Sequence, residues 1–270
     1  MRKILIVYLS FIFMTNITAQ DSEFGLFIGG AYYIGDLNTE HFSQQSWATG
    51  GLYRYNFKNE RIVFRLNFLY SQVKASDFNS GIRNQIDRNL SFRSTIFEFG
   101  PIFEVNFFPY KAGQTKTDQE KFGTPYFFGG ITYFRINPEA KYEGEWVELQ
   151  TIGTEGQGTN LNSKKQYSLN QISMPVGIGA KLNLTKSIAM SLEYGIRKTF
   201  TDYLDDVSGQ YVDNTLLSQQ AGSVAANLSD RRTENSNNLQ RGNPNDKDWY
   251  SFWGMMITFR FNTEPSCPTW

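Results

Sequence analysis

The chain reads as an all-β protein: an eight-stranded antiparallel transmembrane up-and-down β-barrel with short periplasmic turns and long extracellular loops. Three observations predict it. Eight segments alternate apolar and polar side chains with period two. No stretch reaches the roughly 18 apolar residues that mark a spanning helix. The connections between segments alternate between short and long, as they must when every second loop lies on one side of a membrane.

The chain opens with Arg2 and Lys3, runs through apolar residues 4–14 interrupted only by Ser10, and continues into the small and polar residues 15–20. That order is the order of a secretory signal, with cleavage expected after Ala19. The organisation read from the sequence is therefore a signal peptide over 1–19, a barrel over 20–262 and a periplasmic tail over 263–270.

The first two strands are expected at 24–33 and 47–57. Over 61–70 the alternation is strict, with Ile62, Phe64, Leu66, Phe68 and Tyr70 on one face and Arg61, Arg65 and Asn67 on the other. Over 94–107, Phe97, Phe99, Phe103, Val105 and Phe107 oppose Glu98, Gly100, Glu104 and Asn106, and Pro101 is expected at a bulge or rim. A fifth strand is read at 126–136. Ile172, Met174, Val176, Ile178 and Leu182 oppose Ser173, Gly177, Gly179 and Lys181, and over 187–200 Ile188, Leu192 and Tyr194 oppose Glu193, Gly195 and Arg197. In the last strand Trp249, Trp253, Met255, Ile257, Phe259 and Phe261 face away from Tyr250, Gly254, Thr258 and Arg260.

Short turns fall at 58–60 and 185–186 and a medium one at 109–124, against long segments at 34–46, 74–93, 137–166 and 201–248. With both termini in the periplasm, the long loops face outside. Aromatic residues at strand ends, such as Trp47, Tyr55, Phe57 and Trp249, are placed as girdles at the two membrane interfaces. A soluble barrel also alternates, but its outer face would be dominated by charge. Here the polar face mixes glycine with charge, which suits a crowded lumen inside an outer-membrane barrel.

Composition narrows the function classes. The 23 Phe, 15 Tyr and 5 Trp make 16% of the 270 residues beside a mean hydropathy of −0.43, so apolar and polar residues are finely interleaved. A formal net charge of zero lacks the basic footprint of nucleic-acid binding. One His and one Cys cannot assemble the usual zinc ligand sets, and no cofactor is expected. Cys267 has no partner for an intramolecular disulfide. The topology puts it on the opposite side of the membrane from His41, so the two cannot form a catalytic pair.

Eight strands leave an interior that side chains can just fill. Arg54, Arg65, Lys181, Arg197 and Arg260 against Glu98, Glu104 and Glu193 are read as an ion-pair plug of the lumen, since buried charges persist only when paired. Glu98 and Glu104 lie roughly 20 Å apart along one strand, too far for a glycosidase pair. The carboxylates of 201–206 are read as a solvated turn with Asp202 capping a short helix, in preference to a calcium site. The segment 153–158 is read as a flexible loop tip, because it lacks the lysine and helix of a phosphate-binding loop. Residues 225–247 are too polar to fold alone and are expected to be mobile or ordered by a neighbour.

Several motifs carry a family resemblance. The run 29–37, which includes Gly35, Asp36 and Leu37, the run 88–94 with Arg93, the run 106–109, and the long run 197–208 with Arg197, Lys198, Thr199, Asp202, Tyr203, Asp205 and Asp206 resemble PorG-type barrels. These are outer-membrane components of the type IX secretion system of Bacteroidota. The resemblance implies a non-enzymatic barrel whose partners are a PorK-like lipoprotein and PorN-like periplasmic ring proteins, supporting cargo export and, in gliding species, motility. It covers nearly the whole mature chain but not the tail. The turn 109–124, with Lys111, Lys116, Asp118, Glu120 and Lys121, is expected to dock that ring. The alternative is a small barrel that binds or transports an apolar or small ligand, and the third reading is a lipid hydrolase using Ser and His41.

Overall fold

The computed structural model describes residues 22–114, 121–232 and 236–260. The proposed signal peptide, the tail with Cys267, and Lys116, Asp118 and Glu120 of the docking turn lie outside these residues. Ten strands form one continuous antiparallel sheet: β1 (Ser22–Ile34), β2 (Ser46–Asn56), β3 (Ile62–Ser76), β4 (Ser91–Asn106), β5 (Gly123–Gly130), β6 (Thr132–Tyr142), β7 (Glu145–Glu148), β8 (Asn170–Asn183), β9 (Ile188–Thr199) and β10 (Trp249–Arg260). β1 pairs with both β2 and β10, which closes the ring.

Eight staves make that ring, because β5 and β6 act as one. Both lie between β4 and β8, separated by Ile131. Pro101 stands in the middle of β4 opposite this break, not at a rim, and its carbonyl accepts the Ile131 amide at 3.3 Å. Proline has no N–H to give to the ladder, and the neighbouring stave is interrupted where that donor is missing. β7 folds back on the far end of β6 and carries the sheet beyond the barrel into the loop.

The alternation sorts side chains as the period requires. On β3, Val63, Arg65, Asn67 and Leu69 are buried while Ile62, Phe68 and Tyr70 are exposed. The outward row from Ile62 to Tyr70 spans about 27 Å along the strand, or about 20 Å of height at a tilt near 40°, close to the apolar band of a membrane barrel. Aromatics mark both edges of the wall. Trp47 and Tyr70 pack together at 5.5 Å near the long-loop end, and Phe64 meets Phe103 at 5.6 Å near the short-turn end.

The interior divides into two layers. Towards the short turns it is charged. Towards the long loops it is apolar, with Phe27, Ala31, Val73, Phe92, Ile96, Phe134, Ile136 and Phe252 in one buried cluster. The aromatic load is therefore not confined to the outer wall and rims. Phe128 fits inside because Gly177 and Gly195 face it, and a methyl group on either would overlap its ring. Gly195→Val is expected to cost about 1–3 kcal/mol by overpacking, read as a lowered urea midpoint in detergent.

One loop expectation is corrected and one is narrowed to the alternative in which neighbours order the segment. Thr154, Glu155 and Gln157 are buried, so 153–158 is no flexible tip but a turn held from within, with Gly153 and Gly156 at positive φ. In the described part of 225–247, Ala225, Ala226, Leu228 and Ser229 are buried in and around the helix Ser223–Ser229. This polar segment is ordered because it packs on neighbouring loops.

Candidate functional site

The lumen brings together charged residues from six staves. Glu104 of β4 accepts hydrogen bonds from Arg54 Nη2 at 3.0 Å and Lys181 Nζ at 2.7 Å, and Arg65 Nη1 lies 2.9 Å from it. Arg65 also donates to Glu193 at 2.5 Å and 3.1 Å, and the Tyr126 hydroxyl donates to the same carboxylate at 2.9 Å. Arg54 reaches Glu23 at 3.5 Å, and Asn56 and Thr258 donate to that carboxylate at 2.7 Å and 2.6 Å. Three cations thus face three carboxylates, and the cluster is neutral.

A second pair lies higher in the barrel. Arg197 sits 3.4 Å from Glu98, its guanidinium lies over the Phe252 ring at 4.6 Å, and the Tyr250 hydroxyl donates to Glu98 at 2.7 Å. Of the eight residues read as a plug, seven belong to these two groups. Arg260 stands apart at the rim, half-buried, its guanidinium against Gly113. It ends the last strand, where the register carries an inward side chain past the lumen floor.

Glu23 and the tyrosines were not anticipated. The alternation of β1 carried one step before Phe24 points Glu23 inward, so a later strand start hid it. Tyr250 stands on the inward face that the alternation gives it, but the period does not say which carboxylate it meets, and the weaker alternation of 126–136 leaves the face of Tyr126 open. Underneath, Tyr110 closes the lumen, 1% exposed, and donates to Asn183 at 2.6 Å.

The family-motif residues gather at the base of the long loops. Leu37 is buried, and the Asp36 carboxylate accepts the Asn243 amide at 3.0 Å. The Tyr33 hydroxyl lies 2.6 Å from Asp205 and 2.9 Å from Asp248, joining β1, the loop after β9 and the start of β10. Asp206 accepts from Thr154 and from the Tyr167 hydroxyl, and Tyr203 stacks on Tyr167 at 4.5 Å. Glu155 accepts the Ser208 amide at 2.8 Å, the Gly209 amide at 3.1 Å and Arg241 Nη1 at 3.0 Å. Thr199 donates to the Asp248 carbonyl at 2.5 Å. Arg93 and Lys198 lie on the outside, Arg93 paired with Glu139 at 2.7 Å and stacked on Trp146, Lys198 over Trp249.

The run 201–206 is accordingly not a solvated turn, and no helix follows Asp202. Asp202, Asp205 and Asp206 are buried. Among the described residues no group of three or more His, Cys, Asp or Glu is placed to hold a metal ion. Of the docking turn, Lys111 is exposed and Lys121 pairs with Glu60 at 2.8 Å. His41 sits on the long loop after β1, its Nδ1 3.0 Å from the Tyr32 hydroxyl.

Burial raises these loop carboxyls. Asp202 and Asp206 are pushed up to about 6, chiefly by desolvation, and Asp205 and Asp248 are raised further by burial and by facing other carboxylates. The Tyr33 hydroxyl has one proton for two acceptors, so a proton held by the Asp205 and Asp248 pair relieves the arrangement. A raised folded-state value means stability fully present below the unfolded carboxylate pKa near 4 and lost as pH rises through about 6 and beyond. The Leu204 and Val207 amides, which bond to Asp248 and Asp205, are expected to exchange faster at pH 8 than at pH 5 once corrected for intrinsic rates. Asp205→Asn should flatten that dependence.

Three solved structures resemble the chain at low identity. Neisserial surface protein A is 9% identical with a TM-score of 0.44, over 89% of this chain and 97% of that one. Ail, the attachment invasion locus protein of Yersinia pestis, solved with the heparin analogue sucrose octasulfate, is 10% identical with a TM-score of 0.41, over 89% and 99%. The outer membrane protein OprG from Pseudomonas aeruginosa is 10% identical with a TM-score of 0.37, over 90% and 98%. No curated protein sequence matches the chain. A family model described as a domain of unknown function, DUF6089, matches residues 2–269.

Proposed function

The chain belongs to the DUF6089 family, and we propose that it is a non-enzymatic, non-conducting outer-membrane barrel that anchors the periplasmic ring of the type IX secretion apparatus. In this reading the termini and short turns are periplasmic and the long loops face outside. The motifs shared with PorG-type barrels support the assignment to that apparatus. The observation that carries the structural role is the sealed interior: Arg54, Arg65, Glu98, Glu104 and Arg197 are each 0% exposed, and each lies within 4 Å of an opposite charge.

A passage for solutes needs water between its charges. Here direct ion pairs and tyrosine hydroxyls fill that space, and Tyr110 closes the floor. Among the described residues His41 is exposed on the long loop after β1 and bonds to Tyr32, with no nucleophile hydrogen-bonded to it besides that phenol. The barrel then contributes a rigid wall and a held set of loops, and its partners are the PorK-like lipoprotein and the PorN-like ring protein.

Two measurements test this. The purified protein in a planar bilayer is expected to give no stable single-channel conductance, and steady openings would favour the small-ligand transport reading. Detergent-solubilised outer membranes are expected to yield the ring proteins with the barrel. A variant lacking residues 114–120 should lose them, and undiminished recovery would remove the docking role of that turn.

A further inference from the structure

Among the described residues, the short-turn rim carries mostly positive charge. Lys58, Arg61, Lys111 and Lys186 are exposed there, and Lys121 and Arg260 are half-buried. Among the described residues of that rim, Glu60 is the only carboxylate outside the lumen, and it is paired with Lys121 at 2.8 Å. Lys58, Lys111 and Lys186 make no ion pair among the described residues. The charges inside the barrel cancel, so nothing from the lumen offsets this collar.

Its placement is as informative as its sign. The exposed cations stand close in sequence to exposed apolar residues of the wall: Phe57 precedes Lys58, Ile62 follows Arg61, Leu184 stands two positions before Lys186, and Phe107 and Phe108 lead the turn that holds Lys111. Arg61 Nη1 donates to the Phe107 carbonyl at 2.8 Å, tying one turn to the next along the edge. All three short turns contribute. The cations therefore border the apolar band instead of gathering on one protein-sized patch.

We infer that this rim seats the anionic phospholipid headgroups of the leaflet it meets. Long cationic side chains at an apolar boundary lay their stems on the hydrocarbon edge and hold their charges at phosphate depth. Attraction to anionic lipid acts within about a Debye length of the surface and weakens with salt. An acidic protein docking from below would need cations grouped beneath the barrel, whereas most of these are spread round its perimeter. The inference rests on the membrane-barrel reading.

The test is lipid retention by the full-length protein in nanodiscs of phosphatidylcholine and phosphatidylglycerol at 7:3, read by native mass spectrometry after detergent release. Phosphatidylglycerol is expected among the retained lipids at threefold or more over its bulk share. Lys58→Gln, Lys111→Gln and Lys186→Gln together should bring it near the bulk ratio, and 0.5 M NaCl during release should do the same to the unaltered protein. Retention at the bulk ratio, indifference to salt, or an undiminished ratio in a variant that keeps its heat-modifiable gel mobility would overturn the proposal. So would capture of an acidic periplasmic protein on the rim without lipid enrichment. Insertion without lipid preference sinks this inference alone, whereas failure to insert into any bilayer sinks the membrane reading.

Discussion

Glu104→Gln is expected to destabilise the barrel by about 3–5 kcal/mol, the cost of breaking a buried ion pair from one side. Glu104 is the single carboxylate within 3.0 Å of Arg54, Arg65 and Lys181 alike. Its neutral replacement keeps the shape but leaves three cations facing one another, with Glu23 and Glu193 offsetting only part of the charge. The measurement is the urea midpoint in detergent, followed by tryptophan fluorescence. Lys181→Met added to Glu104→Gln should restore part of the loss, because it removes the cation that Glu104 alone pairs. That non-additivity separates charge imbalance from simple packing loss. Glu60→Gln at the rim, which breaks the half-exposed pair with Lys121, should cost no more than about 1 kcal/mol. Equal effects at Glu60 and Glu104 would contradict the buried network.

Glu155→Gln should release the long loops while leaving the barrel closed. Glu155 is 1% exposed and joins two loops by accepting from the Ser208 and Gly209 amides and from Arg241. Arg241 keeps bonds to the Asp206 and Ser229 carbonyls but loses its nearest counter-charge in a buried setting. A local cost of about 3 kcal/mol follows, which corresponds to roughly hundredfold faster exchange of the Ser208 and Gly209 amides. Proteolysis between residues 200 and 248 should accelerate in parallel. An unchanged urea midpoint would place the loss in the loops, whereas a midpoint shift as large as that of Glu104→Gln would mean that loops and barrel unfold as one unit.

These two residues differ in how far the chain announces them. Glu104 stands in a run of strict alternation, and its inward face follows from period two alone. Glu155 lies between glycines in a stretch with no period, and its local sequence resembles a flexible loop. Its burial comes from Arg241, which is 86 residues away. Loop contacts of that span leave no local trace.

What could be read along the chain was the number of staves in the ring, the face of almost every barrel residue and the alternation of short and long connections. These follow from a two-residue period and from turn residues, both local properties. Only the closed ring decided which charges meet, since Arg54, Arg65, Glu104, Lys181 and Glu193 come from five staves and are neighbours solely across the lumen. The ring also set Arg260 at the rim, drew Tyr126 and Phe128 inward over glycines, and gathered Asp202, Asp205 and Asp206 into a buried base beneath the loops. In each case the deciding quantity was the distance between side chains remote in sequence, and the curvature and register of the closed sheet set that distance.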